Sequence, residues 1–224
     1  MDEQQIINSR KRNRNLYVLG LILAILVFIP CLLIAREHQL TGLQERLFYD
    51  FNNLPNWYDQ PALWITEGLG AAYPIAACVI VPILYKRYRL AWRFFFTAGA
   101  AGVIMEIAKI IAQEPRPYAL LHGHLHIRAV ETGLNSFPSG HAVIATALAL
   151  TFWLFVPKTW RFLLILWILI VGFSRLYLGV HTTVDVIGGT ALAVAVVSAI
   201  QLLPTAIAKP LRLDNETPLL KKGL

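Results

Sequence analysis

Charge is what this chain has little of. Only 15% of its 224 residues are Asp, Glu, Lys or Arg, while 57% are hydrophobic; a soluble domain carries roughly 25% and about 45–50%. That shortage excludes intrinsic disorder, whose sequences are polar and charge-rich, and it argues against a soluble globular fold. Cysteine is almost missing. Cys31 and Cys78 lie inside apolar runs and read as small buried hydrophobes, so they carry no information about redox compartment. No repeat with a period of 20–50 residues and no low-complexity linker is visible, so the chain reads as one domain.

The apolar residues are gathered into long runs, and about 20 of them in a helix cross a bilayer at 1.5 Å per residue. The runs predict an all-α polytopic membrane protein with six transmembrane helices, at about 16–35, 61–85, 90–112, 140–156, 160–178 and 183–208. They divide the chain into a basic N-terminus (1–15), a six-helix membrane domain (16–208) and a polar tail (209–224). The first run follows Arg10, Lys11, Arg12 and Arg14, as a signal peptide would. Its apolar core exceeds the usual 7–15 residues and Leu33 spoils a small-residue cleavage site before Ala35, so it reads as an uncleaved anchor. Between the first two runs, Leu43, Leu47, Phe51 and Leu54 recur every three to four residues, which predicts an interfacial helix anchored by Trp57 and Tyr58.

The formal net charge is +7. In a soluble chain that excess would suggest nucleic acid, but here the cations flank apolar runs, where they set topology and meet lipid headgroups; no nucleic-acid partner is expected. Fourteen of the twenty Lys and Arg fall in the N-terminus, the 86–93 and 157–161 connections and the tail. By the positive-inside rule both termini are cytoplasmic, and the connections after the first, third and fifth runs face outward.

Ionisable residues at membrane edges are functional candidates because hydrocarbon penalises them by about 2.5–3.5 kcal/mol each. Three clusters fit, all at outward ends: Lys109 with Arg116-Pro117; Pro138-Ser139-Gly140-His141; and Ser174-Arg175 with His181 and Asp185. Three cations on one face suit a phosphoryl group, whose oxygens match the planar fork of arginine. Ser139 is a natural helix cap, Gly140 admits close backbone approach, and free N–H groups at a helix start favour an anion. The four-residue spacing of His181 and Asp185 at a helix start brings carboxylate to imidazole. That fixes the tautomer and makes the other ring nitrogen a nucleophile toward phosphorus. His141, from another helix, is placed to protonate the leaving oxygen and then activate water. Fixed cations and helix dipoles stabilise the charge, so neither metal nor cofactor is needed.

The three clusters resemble, residue for residue, the signature of the type 2 phosphatidic acid phosphatase superfamily. That signature runs Lys, six residues, Arg-Pro; then Pro-Ser-Gly-His; then Ser-Arg, five residues, His, three residues, Asp. The matching core covers about 105–190. The resemblance implies His181 as nucleophile, Asp185 as its orienter and His141 as acid/base, with Lys109, Arg116, Ser139, Gly140 and Arg175 binding phosphate. Soluble haloperoxidases share the cage but are not this apolar. Gln113-Glu114-Pro115-Arg116-Pro117 and Glu131-Thr132-Gly133 look like bacterial members that act on phosphatidylglycerol phosphate and undecaprenyl diphosphate. A metal-independent lipid phosphatase of a bacterial inner membrane, with an extracytoplasmic site and a lipid phosphate or polyprenyl diphosphate as substrate, is therefore expected. A phosphotransferase using the same histidine and a non-catalytic lipid-phosphate transporter or binding protein are the rival readings.

Other polar residues have plainer readings. Glu106 lies three residues before Lys109 and reads as its structural partner, with a proton relay as the alternative. Glu67 has no evident partner. His122, His124 and His126 alternate and would share one face of an extended segment; they read as a solvated or substrate-facing loop, with a metal site as the lesser option.

Overall fold

The computed structural model describes residues 3–70, 72–121, 125–131, 133, 135–153 and 155–203, with side chains from residue 14 onward. The helices are α1 (Glu3–Arg36), α2 (Gly42–Asn52), α3 (Asp59–Ile65), α4 (Ala72–Leu84), α5 (Tyr88–Ala112), α6 (Pro117–Leu120), α7 (Gly140–Phe152), α8 (Arg161–Tyr177) and α9 (Thr183–Leu202). The tail expected at 209–224, with His122 and His124, lies outside the described residues.

Among the described residues four segments are long and apolar enough to cross a membrane: Arg14–Arg36 of α1, α5, Lys158–Tyr177 carrying α8, and α9. Asn56–Gly70, which ends in a π-helical turn at Thr66–Gly70, and Ala72–Leu84 are bent by 42° to each other and make a fifth span if the pair is counted as one. Helix α7 has 13 residues, about 20 Å of rise against a hydrocarbon thickness of about 30 Å. By length and composition alone, four or five of the six expected segments qualify as full spans among the described residues, and α7 is a shorter apolar helix ending at Phe152.

Helix α7 packs against α5, α8 and α9, and α1 lies along α9. The core they share is built of small side chains, Ala101 and Ala108 of α5, Ala147 of α7 and Ala193 of α9, each buried. Between membrane helices close approach of small residues replaces the hydrophobic drive available in water. Helix α1 instead displays Leu16, Leu19, Ile22 and Leu26 at 50–63% exposure, a surface that suits lipid.

The segment after α1 forms a helix, Gly42–Asn52. A capping box starts α2: Thr41 Oγ1 accepts from Gln44 N at 3.2 Å and Thr41 N donates to Gln44 Oε1 at 2.8 Å. Its buried residues are Gln44, Phe48 and Asn52, whereas Leu43 is exposed. Of the expected stripe, Phe51 packs against Phe173 and Leu54 against the cluster of Tyr177 and Leu178, and Asn52 is held by the protein: its Nδ2 donates to His126 O and its Oδ1 accepts from His126 N, both at 2.9 Å.

Candidate active site

The turn between α8 and α9 sets the geometry. Gly179 takes a positive φ of +73°, where a side chain would also meet Asn52, and the chain descends through His181 into α9. Helix α9 opens with a capping box in which Thr182 Oγ1 accepts from Asp185 N at 3.3 Å and Asp185 Oδ2 accepts from Thr182 N at 2.7 Å. The capping carboxylate also faces the imidazole, with His181 Nδ1 3.3 Å from Asp185 Oδ2. Ser136 Oγ donates to the same Oδ2 at 2.6 Å. Both His181 and Asp185 are buried. Burial, more than the opposing pull of Asp185, lowers the His181 imidazole to about pH 4, and the guanidiniums of Arg175 and Arg116 push the same way. The ring is therefore neutral at pH 7. With Nδ1 turned to the carboxylate, Nε2 is the ring nitrogen that carries the lone pair.

Arg116 reaches that nitrogen. Gln113 ends α5 in the left-handed conformation, the chain turns through Glu114, and Pro117 begins α6, so Arg116 is held extended at its N-cap. Arg116 Nη1 donates to Val180 O at 3.1 Å and lies 3.0 Å from His181 Nε2; Nε donates to Gly133 O at 3.2 Å. The loop returning toward α7 is pinned to this strand-like stretch, with Ser136 N donating to Glu114 O at 2.7 Å.

Arg175 comes from the end of α8. Its Nη1 donates to Thr66 Oγ1 at 3.2 Å, and its Nη2 is hydrogen-bonded to Glu131 Oε1. Glu131 Oε2 lies 3.6 Å from Arg116 Nη2, so one loop carboxylate spans both guanidiniums. Burial alone would raise the Glu131 carboxyl, but the charges of Arg175, His141, His181 and Arg116 outweigh it and hold the group below the ordinary carboxylate range. An anion already occupies the space between the two arginines.

The Pro138-Ser139-Gly140-His141 segment closes one side. Ser139 sits at the N-cap of α7, yet its hydroxyl makes no cap bond; Oγ is buried and has no partner among the described residues. The expected cap is thus absent, and a donor is left unused. Ser139 N donates to Asp185 O at 3.1 Å. Close packing here depends on α9: a Cβ on Gly189 would lie 2.8 Å from Ser139 O, and one on Gly188 would overlap the Phe137 ring. At Gly140 a Cβ would stand 3.1 Å from Met105 Sδ. His141 shares the electrostatic environment of Arg175, Glu131, His181 and Arg116, and Gly70 backs its ring so closely that a Cβ would lie 2.8 Å from His141 Cδ2.

Lys109 stands apart. Among the described residues its ammonium pairs with Glu106 Oε1 at 3.3 Å, and its backbone carbonyl accepts from Asn135 Nδ2. The structure thus brings together His181, Asp185, His141, Arg116, Arg175, Ser139 and Gly140, and leaves Lys109 turned toward its helical neighbour. Reasoning from sequence missed Thr66, Glu114, Ser136 and the Gly188-Gly189 pair. The signals were thin: a Thr-Glu in an apolar run, and paired glycines in another. No group of three or more His, Cys, Asp or Glu able to hold a metal occurs among the described residues.

A sequence model of the PAP2 superfamily matches residues 90–207. An undecaprenyl-diphosphatase from Sulfolobus acidocaldarius is 30% identical over 133 residues, 59% of this chain and 59% of that protein. Undecaprenyl-diphosphatase BcrC of Bacillus subtilis is 28% identical over 139 residues, 62% of this chain and 70% of that protein. The first of these matches thus spans about three fifths of the relative's length. Among solved structures, Aquifex aeolicus LpxE superposes with a TM-score of 0.64 at 23% identity, over 72% of this chain and 96% of that one. A transmembrane PAP2-type phosphatidylglycerolphosphate phosphatase from Bacillus subtilis gives 0.59 at 22% identity, over 77% and 91%. These two likenesses concern the fold.

Proposed function

From the premise that the chain belongs to the PAP2 superfamily, we propose that it is a lipid phosphate or diphosphate phosphatase working through a phosphohistidine. One observation carries the reading: a single carboxylate, Glu131, spans Arg116 and Arg175 beside a neutral, carboxylate-oriented His181 whose Nε2 lies 3.0 Å from Arg116 Nη1. A phosphoryl group has the charge and the oxygens to replace that carboxylate.

His181 Nε2 attacks phosphorus while the bond to the leaving oxygen breaks, and His141 donates the proton that oxygen needs. Asp185 retains the Nδ1 proton and balances the positive charge on the ring. Arg116, Arg175, the unused Ser139 hydroxyl and the free N–H groups at the start of α7 hold the equatorial oxygens. His141, now neutral, takes a proton from water as its oxygen attacks phosphorus; the P–N bond breaks and orthophosphate leaves. Lys109 joins the cage when phosphate draws it from Glu106.

The substrate is a lipid whose headgroup ends in phosphate or diphosphate. The names of the relatives favour undecaprenyl diphosphate, with phosphatidylglycerol phosphate second. The protein has six membrane-crossing segments, α7 being the short one, with α2 lying in the interface and both termini cytoplasmic. The site faces the extracytoplasmic side of a bacterial inner membrane, which the distribution of Lys and Arg supports.

The test is phosphate release by purified protein in detergent, from undecaprenyl diphosphate and phosphatidylglycerol phosphate in parallel. His181→Ala should lose about 10⁴-fold or more, as removal of a nucleophile does, and should fail to take up label from a phosphate-labelled substrate. Turnover by His181→Ala at the wild-type rate would overturn the scheme.

A further inference from the structure

Glu114 has no part in the reaction just described, yet it is 2% exposed, and Ser136 ties it to Asp185, with Ser136 N donating to Glu114 O at 2.7 Å and Ser136 Oγ to Asp185 Oδ2 at 2.6 Å, so that the two carboxyls act on each other. Glu114 Oε2 and Asp185 Oδ1 are both buried, and neither has a hydrogen-bond donor among the described residues. Two ionised carboxylates so placed would repel in a pocket without water; one proton between them turns repulsion into a strong hydrogen bond.

Which partner holds the proton follows from the donors around each. Asp185 Oδ2 already receives Ser136 Oγ at 2.6 Å, Thr182 N at 2.7 Å and His181 Nδ1 at 3.3 Å, and each bond favours its anion. Among the described residues nothing comparable reaches the Glu114 carboxyl. Burial first, and then the charge of Asp185, push Glu114 up to about 10, so it is a neutral acid at pH 7. Its backbone is fixed independently by Ser136 N on Glu114 O and by the Pro115–Asn135 bridge.

We propose that Glu114 is a positioning residue for the reaction at His181: its carboxylic O–H donates to Asp185 Oδ1, completing the shell of that carboxylate and keeping Oδ2 aimed at the imidazole. The three residues form a line, acid to carboxylate to imidazole, with the proton resident on Glu114 throughout. Glu114 never touches the lipid.

The inference rests on the proposed function, and the experiment separates their failures. Wild-type protein must first release phosphate from undecaprenyl diphosphate; if it does not, the functional reading fails before Glu114 is tested. Given an active wild type, Glu114→Ala and the apolar Glu114→Met should lower kcat about 10–100-fold, the range for losing an orienting partner, with KM little changed. Glu114→Gln presents an N–H to the same oxygen and should restore kcat to within about threefold of wild type. Thermal melting in detergent identifies variants that do not fold, and if the Ala and Met variants fall out that way, Glu114→Gln decides alone. A folded Glu114→Gln as inactive as Glu114→Ala would show that an ionised carboxylate is required, and a fully active Glu114→Ala would show that none is; either result overturns the proposal.

Discussion

Arg128 and Arg175 are buried to nearly the same degree, with side chains 4% and 1% exposed, and are surrounded quite differently. Arg128 is saturated. Its Nε donates to Asp59 Oδ1 at 2.8 Å, Nη1 to Asn52 O at 2.6 Å, Nη2 to Leu54 O at 2.9 Å and Asn56 Oδ1 at 3.0 Å, and its plane lies over the Tyr177 ring. It ties the loop before α7 to the segment joining α2 and α3. Arg175 has a buried Nε without a partner among the described residues, one hydroxyl, and one loop carboxylate shared with Arg116. A guanidinium whose donors are all spent on its own chain is structural, whereas one left incomplete in a buried site has capacity for a ligand.

Arg175→Ala tests that contrast most severely. It should lower kcat/KM for lipid phosphate about 10²–10³-fold, as loss of one preorganised donor does, with little change in melting; an unaltered rate would erase the distinction. Arg128→Ala should reverse the pattern. Stability falls by about 3 kcal/mol, since charged hydrogen bonds are removed and buried acceptors stranded, while turnover of the folded fraction at low temperature stays near wild type.

Acid sharpens the comparison, because the functional pocket holds the titrating group. The His181 imidazole sits near 4 rather than 6.5, so the unfolded chain binds its proton first. Stability tied to His181 is complete above about pH 6.5 and is lost as pH falls toward 4, by about 3 kcal/mol in all. The acid limb of kcat/KM from His181 should likewise fall near pH 4; a limb at 6.5 would contradict the burial of the ring. Smaller still is Thr66→Val, which strips Arg175 of its hydroxyl partner and should cost about 1 kcal/mol of transition-state binding, read as a several-fold drop in kcat/KM. Last comes EDTA, which should leave the rate unchanged; inhibition reversed by added divalent metal would favour metal chemistry over fixed guanidiniums.

Why some of this was legible in sequence and some was not has a physical basis. The His181–Asp185 contact could be anticipated because a four-residue spacing at a helix start is local geometry. The apolar runs located α1, α5, α8 and α9, since hydropathy integrates over twenty residues and tolerates errors at the ends. Thr66 was hidden because its partner Arg175 lies 109 residues away, on a helix whose approach depends on the π-helical break. Glu114 and Ser136 are ordinary residues whose meaning comes from a loop folding back onto α9. At α7 the apolar run continues past Phe152, where the helix ends, because hydropathy does not mark a helix end. At α2 the hydrophobic stripe was visible, but hydrophobicity alone does not say whether such a stripe seeks protein or lipid.

The Asp185 carboxylate does two jobs with one oxygen, closing the first turn of α9 and steadying His181. Fraying of that turn and misalignment of the imidazole are consequently the same event. On warming, catalysis should decline together with hydrogen-exchange protection of the first amides of α9, well before the bundle itself melts, so the enzyme would switch off locally and recover fully on cooling.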